Sequence, residues 1–285
     1  FLFCDYMEKY TNLSFEISEK VTREYSTSFY TASRIFARDI REGIFSIYGF
    51  VRLADEIVDS FHEYDKTTLL NKFESDYYDA IGNGVSMNPV LHSFQKTVKK
   101  YNIPDEHIRE FLSSMKKDLV KKNYSDKKEA EEYIYGSADV VGLMCLKVFC
   151  NGNNALYNEL VTPAMKLGSA FQKVNFLRDL KDDTEILGRH YFGYIDNRNF
   201  NEQAKAQIIN DIEKNFSEAL SGLKKLPDNS RMAVYVAYSY YLALLRKIKK
   251  TPAEKILTRR IRISNPGKLF ILFKSIILTN LNIIK

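Results

Sequence analysis

Apolar residues recur at helical spacing along most of the chain, and polar side chains gather on one face of two of the helices that this spacing predicts. Of the 285 residues, only 12 are glycine and 6 are proline, and residues that favour helices occur throughout. We therefore predict an almost entirely α-helical protein with about eight to ten helices. The connections are expected near residues 82–89, 101–104, 121–128, 151–154, 187–199, 225–230 and 264–267.

Prolines are expected to mark several helix starts. Thr162-Pro163 and Thr251-Pro252 each predict an N-cap followed by proline at the first helical position, and Thr251 with Glu254 has the spacing of a capping box. Pro104 is expected to open another helix, because the acidic residues that follow it favour a helix N-terminus.

Two of the predicted helices carry aspartates four residues apart. Asp55 and Asp59 form the first pair, and Asp179 and Asp183 form the second. Four residues nearly complete one helical turn, so each pair projects from one face. Two like charges one turn apart repel each other, and carboxylate oxygens are ligands that Mg²⁺ prefers. The sequence therefore predicts a site for Mg²⁺, with Mn²⁺ as an alternative, between two facing acidic motifs.

Further polar residues share these two helix faces. Tyr48 and Arg52 lie with the first aspartate pair within an arc of roughly 60°, counting 100° per residue. Gln172 and Asn175 lie on the same face as the second pair. The other faces of both helices are apolar, so a face with amides, carboxylates and an arginine is expected to line a charged, water-filled cleft.

The overall charge excludes little. A formal net charge of +6 is modest and indicates mainly solvated surface, although it is compatible with weak attraction to anionic lipid or diphosphate. No basic motif interleaved with aromatic residues supports a nucleic acid partner. The three cysteines and four histidines show neither metal-ligand spacing nor a disulfide framework. We therefore expect a reducing compartment and no secretory signal ahead of the first predicted helix.

The two ends of the chain differ from the middle. Residues 1–15 are expected to be a flexible N-terminus, with Met7 a candidate initiator. Residues 268–285 are expected to form an apolar C-terminal helix, but Lys274 and two asparagines leave it short of the roughly 20 apolar residues that a spanning helix needs. Two interpretations stay open for this helix, a last core helix or a contact with a membrane surface.

Several blocks of the sequence resemble the phytoene and squalene synthase family. A single aspartate pair is a weak signal, whereas two pairs joined to the other blocks in the family's order are a strong one. Together with residues 260–269, the similarity covers residues 20–270. The blocks are residues 25–29 (YSTSF), 48–59 (YGFVRLADEIVD), 135–142 (YGSADVVG), 172–183 (QKVNFLRDLKDD) and 188–191 (GRHY).

The resemblance implies a fold and an activity. The fold would be a single all-α isoprenoid-synthase domain over residues 1–285, with antiparallel helices around a central cavity and the acidic motifs facing each other across its mouth. The reaction would join two identical prenyl diphosphates head to head through a cyclopropylcarbinyl diphosphate. It would depend on Mg²⁺, and NAD(P)H is not expected. The implied location is cytoplasmic, with peripheral contact to the inner membrane face.

The resemblance also assigns roles to individual residues. Metal ligands would come from both motifs. Tyr48 and Arg52 would act with the aspartates in catalysis. The implied metal ligands are Asp55, Asp59, Asn175, Asp179 and Asp183. The implied substrate contacts are Ser26, Ser28, Arg52, Tyr135, Gln172, Asn175, Arg178, Arg189, Tyr191 and Tyr241.

For some of these residues the sequence leaves a structural role open. Arg52 could form a salt bridge with Asp55, Ser26 could simply cap a helix, and Arg178 lies off the face of the second motif and could form an ion pair. Arg189 follows the second motif in a loop, where flexible closure over a diphosphate is expected. Asp139 replaces a glycine common in the family, and is expected to bind water at the rim of the site or to point outwards.

The length of the prenyl donor is the least determined feature. Ala32 and Ser33 lie about one turn beyond Ser28, and their small side chains favour a C20 donor over a C15 donor. We therefore expect condensation of two geranylgeranyl diphosphates to phytoene. The alternatives are dehydrosqualene or squalene formation from two farnesyl diphosphates, and a catalytically inactive relative that acts as an assembly factor. The oligomeric state stays open.

Overall fold

The computed structural model describes residues 2–124, 126–192 and 200–280. In these ranges, thirteen α-helices and one π-helical segment form the architecture, and the only β-type pairing is an isolated bridge between Asn123 and His190. The helices are α1 (Leu2–Tyr25), α2 (Thr27–Ser33), α3 (Arg38–Ser60), α4 (Lys66–Asn83), α5 (Pro89–Tyr101), α6 (Asp105–Val120), α7 (Lys127–Ile134), α8 (Val140–Cys150), α9 (Asn154–Glu185), α10 (Glu202–Leu223), α11 (Asp228–Lys250), α12 (Ala253–Thr258) and α13 (Asn265–Asn280), with the π-segment Tyr135–Asp139 between α7 and α8.

The all-α prediction is confirmed, but the helix count of eight to ten was too low. Several extra breaks lack the glycine and proline clusters that mark turns in a sequence. One lies at Ser26, whose Oγ accepts a hydrogen bond from the amide of Phe29 and so caps α2. The predicted connections near 101–104 and 151–154 match the structure. Residues 193–199 of the predicted loop 187–199 lie outside the described residues.

The helix start predicted at Pro163 was wrong, whereas the start predicted at Pro252 is confirmed, because α12 begins at Ala253, but without the predicted capping box. Pro163 lies inside α9, which runs from Asn154 to Glu185 without a break. Thr251 does not cap α12, because its Oγ1 donates back to the carbonyl of Lys247 in the last turn of α11. Helix α12 therefore starts without a side-chain cap. Proline in a helix interior removes one backbone hydrogen bond. In α9 the packing of a long helix compensates for this loss, so tertiary packing outweighed the helix start that Thr162-Pro163 indicated.

The ring of Pro163 occupies the place where α9 meets Gly222 of α10. A Cβ atom added at Gly222 would lie 2.2 Å from Cβ of Pro163, so we expect Gly222→Ala to lower the free energy of unfolding by about 1–3 kcal/mol. Gly82 is the matched control, because a Cβ there would meet no atom within 4 Å and alanine favours a helix by about 0.5–1 kcal/mol. Urea unfolding measures both variants, and equal effects would contradict the close contact.

The chain ends also differ from part of the prediction. Over residues 2–15 the chain is the first half of α1, which packs against α3 and α5, and Ser14 is fully buried. The expectation of a flexible N-terminus therefore does not hold there. At the other end the apolar helix exists as α13, whereas residues 281–285 of the predicted segment lie outside the described residues.

The π-segment packs between α6 and α9. A Cβ atom at Gly136 would lie 2.0 Å from Oγ of Ser114, and one at Gly168 would lie 2.8 Å from the carbonyl oxygen of Ala138. These two glycines therefore permit backbone contacts that a side chain would block. Residues 127–150, which include the segment, are long and apolar enough to cross a membrane, but 61% of the most apolar 18-residue window within them is buried, as in a core helix of a globular protein.

Candidate active site

A cavity of about 650 Å³ lies between α2, α3, α8, α9, α10 and α11. Its charged side chains come from α3, from α9 and the segment that follows it, and from the segment that precedes α13, and they define its mouth. Its interior is lined by aromatic and aliphatic side chains. The charged group comprises Arg52, Asp55, Asp59, Arg178, Asp179, Asp182, Asp183, Arg189 and Arg260, and the interior group includes Phe29, Phe36, Ile44, Phe149, Leu160, Phe171, Leu223 and Val234.

The first acidic motif stands on α3 beside an arginine. Nη1 of Arg52 donates to Asp55 over 2.6 Å, and Nη2 donates to Glu56. The guanidinium carbon lies 4.3 Å from the centre of the Tyr25 ring, a cation–π contact. The salt bridge to Asp55 that the sequence left open is therefore present, and it holds Arg52 at the mouth.

The second acidic motif stands on α9 and is held by two arginines. Arg178 donates to both carboxylate oxygens of Asp179, over 2.9 Å from Nε and 2.6 Å from Nη2. Nε of Arg260 lies 2.7 Å from Oδ1 of the same carboxylate. Arg178 thus forms the ion pair that the sequence left open and also lines the cavity, while Arg260 was not among the predicted site residues.

Arg189 joins the two motifs. Its backbone amide donates to the carbonyl of Asp183 over 2.8 Å, and its Nη1 lies 2.8 Å from Oδ1 of Asp59. The residue is only 6% exposed, and the bridge between Asn123 and His190 fixes the adjacent backbone. This corrects the expectation of a flexible loop at Arg189, because tertiary hydrogen bonds hold the residue in place.

The carboxylates of the two motifs repel one another in a poorly solvated mouth. Burial and then Asp59 raise the pKa of Asp55 to about 7, and burial and then Asp179 raise the pKa of Asp183 to about 7. Asp59 also contributes to the raised pKa of Asp183, so the motifs interact across the mouth. Four carboxylates in this arrangement favour either protons or a bound cation.

The sequence did not predict a buried network behind the mouth. The hydroxyl of Tyr133 donates to Asp118 over 2.7 Å, and Nη2 of Arg189 lies 3.5 Å from the Asp118 carbonyl oxygen. Burial raises the pKa of Asp118 to about 6. The ring of Tyr191 stacks on Phe176 with 3.8 Å between centroids. Tyr133 and Tyr191 both line the cavity, so this network supports the wall between α6 and α9.

The structure does not bring Ser28 and Tyr135 to the cavity. Ser28 is half-buried on α2 but is absent from the lining, and Tyr135 faces Glu106 and Glu110 of α6. Tyr133, two residues earlier in the chain, lines the cavity in place of Tyr135. Two residues on a helix differ by about 200° in direction, so the helical phase relative to Ser137 and Val141 was the signal that would have selected Tyr133.

The remaining predicted residues line the cavity. Tyr48 stacks on Phe29 with 5.0 Å between centroids, and burial raises its pKa to about 12. Tyr241 stacks on Phe171 at 3.9 Å. Ser26 lines the wall as well as capping α2. Gln172 and Asn175 also lie on the wall, where the Asn175 amide nitrogen is 3.5 Å from the Gln172 oxygen.

Asp139 points into the protein, behind the cavity wall. It is 6% exposed, and Oγ of Ser169 donates to its carboxylate over 2.8 Å. Burial raises its pKa to about 7, against the opposing effects of Ser169 and Lys173. This corrects the expectation that Asp139 binds water at the rim or points outwards, because the π-segment turns the side chain towards α9.

The oxygen donors at the mouth fit a divalent cation. Oδ1 of Asn175 is buried and accepts no hydrogen bond, and Oδ1 of Asp59 has Nη1 of Arg189 at 2.8 Å as its ion-pair partner. In the described ranges, no group of three or more His, Cys, Asp and Glu side chains is placed to hold a metal ion by itself. Each motif therefore offers a few oxygen ligands and leaves positions for substrate oxygens and water, which Mg²⁺ accommodates.

Known proteins match both the sequence and the fold. The chain is 29% identical over 271 residues to chloroplastic phytoene synthase 2 of Solanum lycopersicum, covering 89% of this chain and 86% of that protein. It is 24% identical to the 15-cis-phytoene synthase of Pantoea ananas, over 87% and 86% of the two chains. The crystal structure of a dehydrosqualene synthase in complex with ligand superposes with a TM-score of 0.81 at 22% identity, covering 96% and 98% of the chains.

Fold, cavity and relatives together define the class, an all-α enzyme of the prenyltransferase type. The family model of squalene/phytoene synthases matches residues 22–266, which is most of the chain. The protein belongs to the squalene/phytoene synthase family.

Proposed function

We propose that the protein condenses two geranylgeranyl diphosphates head to head, through a cyclopropylcarbinyl diphosphate, to phytoene, a step of carotenoid biosynthesis. The observation that carries the proposal is the meeting of both acidic motifs at the mouth of one apolar cavity. A diphosphate group and a long hydrocarbon chain need these two environments side by side. The similarity to two phytoene synthases, of Solanum lycopersicum and Pantoea ananas, supports the choice of product.

The mouth would bind the diphosphates through arginine and carboxylate groups. Asp55 and Asp59 would hold Mg²⁺ on one side, and Asn175, Asp179 and Asp183 on the other. When bound, the metal supplies positive charge that stabilises the departing diphosphate.

Three arginines near these carboxylates would then contact the diphosphates. Arg52, Arg178 and Arg260 now pair with aspartates of the two motifs. A guanidinium group binds phosphate oxygens in a bidentate manner, so each would orient a diphosphate at the mouth and share the charge that develops on it.

The interior would protect the carbocations that follow departure of the diphosphate. Stacked pairs such as Phe29 with Tyr48, and Phe171 with Tyr241, line it and exclude water. Ser33 is 1% exposed and lies in the lining with Ala32. Small side chains on this wall leave room for the end of a long prenyl chain, which supports a C20 donor.

Two alternatives differ in substrate or in class. Two farnesyl diphosphates would give dehydrosqualene or squalene, and the superposition with a dehydrosqualene synthase, which supports the fold alone, is compatible with either donor. A catalytically inactive relative that assists assembly would not need the intact aspartate motifs that this chain has. A cytoplasmic location and independence from NAD(P)H stay predictions.

The test is a product assay with purified protein. The protein is incubated with MgCl₂ and either geranylgeranyl or farnesyl diphosphate, with and without NADPH, and the hydrocarbons are identified by chromatography and mass spectrometry. We expect a C40 hydrocarbon with a conjugated triene from the C20 donor, whose formation needs magnesium but no NADPH. Asp179→Asn prepared in parallel reports any hydrocarbon carried over from the expression host.

The other outcomes separate the alternatives. If the main product is a C30 hydrocarbon, the donor is farnesyl diphosphate rather than geranylgeranyl diphosphate. Dependence of the product on NADPH would identify a reductive reaction. If the folded protein forms neither hydrocarbon with magnesium present, the proposal is overturned in favour of the inactive relative.

A further inference from the structure

The aspartates of the two motifs differ in where they lie along their helices. Asp55 is followed by more than one further turn of α3, whereas Asp59 is the second-last residue of that helix. Asp183 likewise lies close to the end of α9. The last four carbonyl groups of an α-helix have no partner within the helix, so the final turn needs other groups to bind them. The backbone positions of Asp59 and Asp183 therefore depend on contacts from outside their helices.

The end of α9 is held by the chain that follows it. The amide of Ile186 donates to the carbonyl of Asp182 over 3.0 Å, and the amide of Arg189 donates to the carbonyl of Asp183 over 2.8 Å. Two consecutive carbonyls of the last turn are thus bound by backbone amides. The second motif has its final aspartate fixed in this way.

The end of α3 is held by a side chain of the next helix. Lys66 is the first residue of α4, and its Nζ donates to the carbonyl of Val58 over 2.7 Å. Val58 directly precedes Asp59 and is 4% exposed, so this bond reaches into the turn that carries the aspartate. The last turn of α3 contains no basic residue of its own, and a cation near a helix C-terminus is favourable. Lys66 supplies that cation.

Lys66 also lies in the electrostatic field of the mouth. Burial lowers the pKa of Lys66, the Asp59 carboxylate opposes this shift, and Arg189 adds to it. Nη1 of Arg189 contacts the Asp59 carboxylate directly, over 2.8 Å, whereas Lys66 binds the backbone of the same turn. Lys66 is not part of the cavity lining. An effect of Lys66 on the site would therefore act through Asp59.

We propose that Lys66 is a positioning residue, which fixes the last turn of α3 and so directs the carboxylate of Asp59 towards the metal. This inference rests on the proposed function, which gives Asp59 a metal to bind. Groups that orient a metal ligand usually contribute roughly 10–100-fold to metal affinity. The charge of Lys66 has the opposite effect, because an ammonium group repels a divalent cation and its removal alone would tighten metal binding. Weaker binding without Lys66 therefore reports lost geometry.

Metal titration of the whole chain tests the proposal. Isothermal titration calorimetry measures the binding of Mn²⁺ alone, and of Mn²⁺ with inorganic diphosphate. The titration is done at pH 8, above the raised pKa of about 7 of two motif aspartates. We expect Lys66→Met to weaken Mn²⁺ binding about tenfold. Lys66→Arg keeps a donor for the Val58 carbonyl and should restore most of the affinity.

The matched control is Lys72→Met. Lys72 also lies on α4, is exposed and pairs with Asp76, so its replacement removes the same charge and should leave Mn²⁺ binding unchanged. With the preferred donor, Lys66→Met should raise the half-saturating MgCl₂ concentration by a larger factor than it lowers kcat at saturating MgCl₂. Thermal unfolding verifies that the variants fold, as expected since Leu70 and Phe73 anchor α4 in the core.

Several results would overturn the proposal. Mn²⁺ binding that is unchanged or tighter in Lys66→Met would leave only the charge effect. A loss as large in Lys66→Arg or in Lys72→Met would show that the bond to Val58 does not matter. Absence of Mn²⁺ binding by the unsubstituted protein, with and without diphosphate, would leave Asp59 no metal to hold. If Mn²⁺ binding depends on Lys66 but no hydrocarbon forms, the proposed condensation alone fails.

Discussion

Replacing Asp183 by asparagine is expected to lower turnover by a factor on the order of a hundred to a thousand, the usual loss when one group that stabilises developing charge is removed. Asp55→Asn should behave alike. Both side chains stand at the mouth, where the proposed metal and diphosphate would bind. Steady-state kinetics with the preferred donor and saturating MgCl₂ measures the loss. Asp79→Asn, on the exposed surface of α4, is the control and should keep full activity.

The same substitutions should not destabilise the metal-free protein, and the pH dependence shows why. The pKa of Asp183 rises from its ordinary 3.8 to about 7, so between these values the folded protein binds more protons than the unfolded chain. Stability contributed by the protonated carboxyl is present below pH 4 and is lost as the pH rises through about 7. An asparagine at position 183 does not titrate, so the variant does not lose stability in this pH range. We therefore expect Asp183→Asn to raise the melting temperature more at pH 8 than at pH 5.

Asp55→Asn should give a smaller gain, because it also removes the hydrogen bond from Arg52. Differential scanning fluorimetry without metal, at both pH values, measures the two effects. A large loss of stability with retained turnover would show that the aspartates are structural rather than catalytic.

Filling the wall at Ser33 should change the donor that the enzyme uses. Ser33 is buried and lines the cavity, so a phenylalanine ring there takes space of the order of one five-carbon unit from the chain site. We expect Ser33→Phe to lower kcat/KM for geranylgeranyl diphosphate at least tenfold more than for farnesyl diphosphate. Competition between the two donors, read out as C40 and C30 hydrocarbon, measures the ratio.

Ser33→Ala is the matched control for this experiment. It keeps the small volume, so the donor ratio should not change. It also removes a buried hydroxyl that has no hydrogen-bond partner, so the free energy of unfolding should stay equal or rise. If Ser33→Phe folds and lowers kcat/KM equally for both donors, the wall at Ser33 does not determine the length of the donor.

Local spacing was sufficient to predict the two acidic motifs. Asp55 with Asp59, and Asp179 with Asp183, share a helix face by the period of the helix alone, and both pairs line the cavity as expected. The same rule placed Arg52 on the face of the first pair. Such predictions succeed because an i, i+4 relation within one regular helix does not depend on the rest of the fold.

Predictions that depended on other elements were less successful. Tyr135 resembled a site residue, but the π-segment and the contact of Gly136 with α6 turn Tyr133 towards the cavity instead. Arg189 was expected in a flexible loop, but is held by Asp59 and by the backbone of Asp183. Pro163 indicated a helix start, and packing against α10 overrode it.

The sequence by itself determined the helical class, the two aspartate faces and the residues that belong with them, since these follow from periodicity and near neighbours along one helix. Only the tertiary structure decided that the motifs meet at one mouth, that Arg260 and Asp118 join them, and that Asp139 points inwards. Their partners are 81, 15 and 30 residues away along the chain. Contacts across such distances depend on how whole helices pack, which no local pattern specifies.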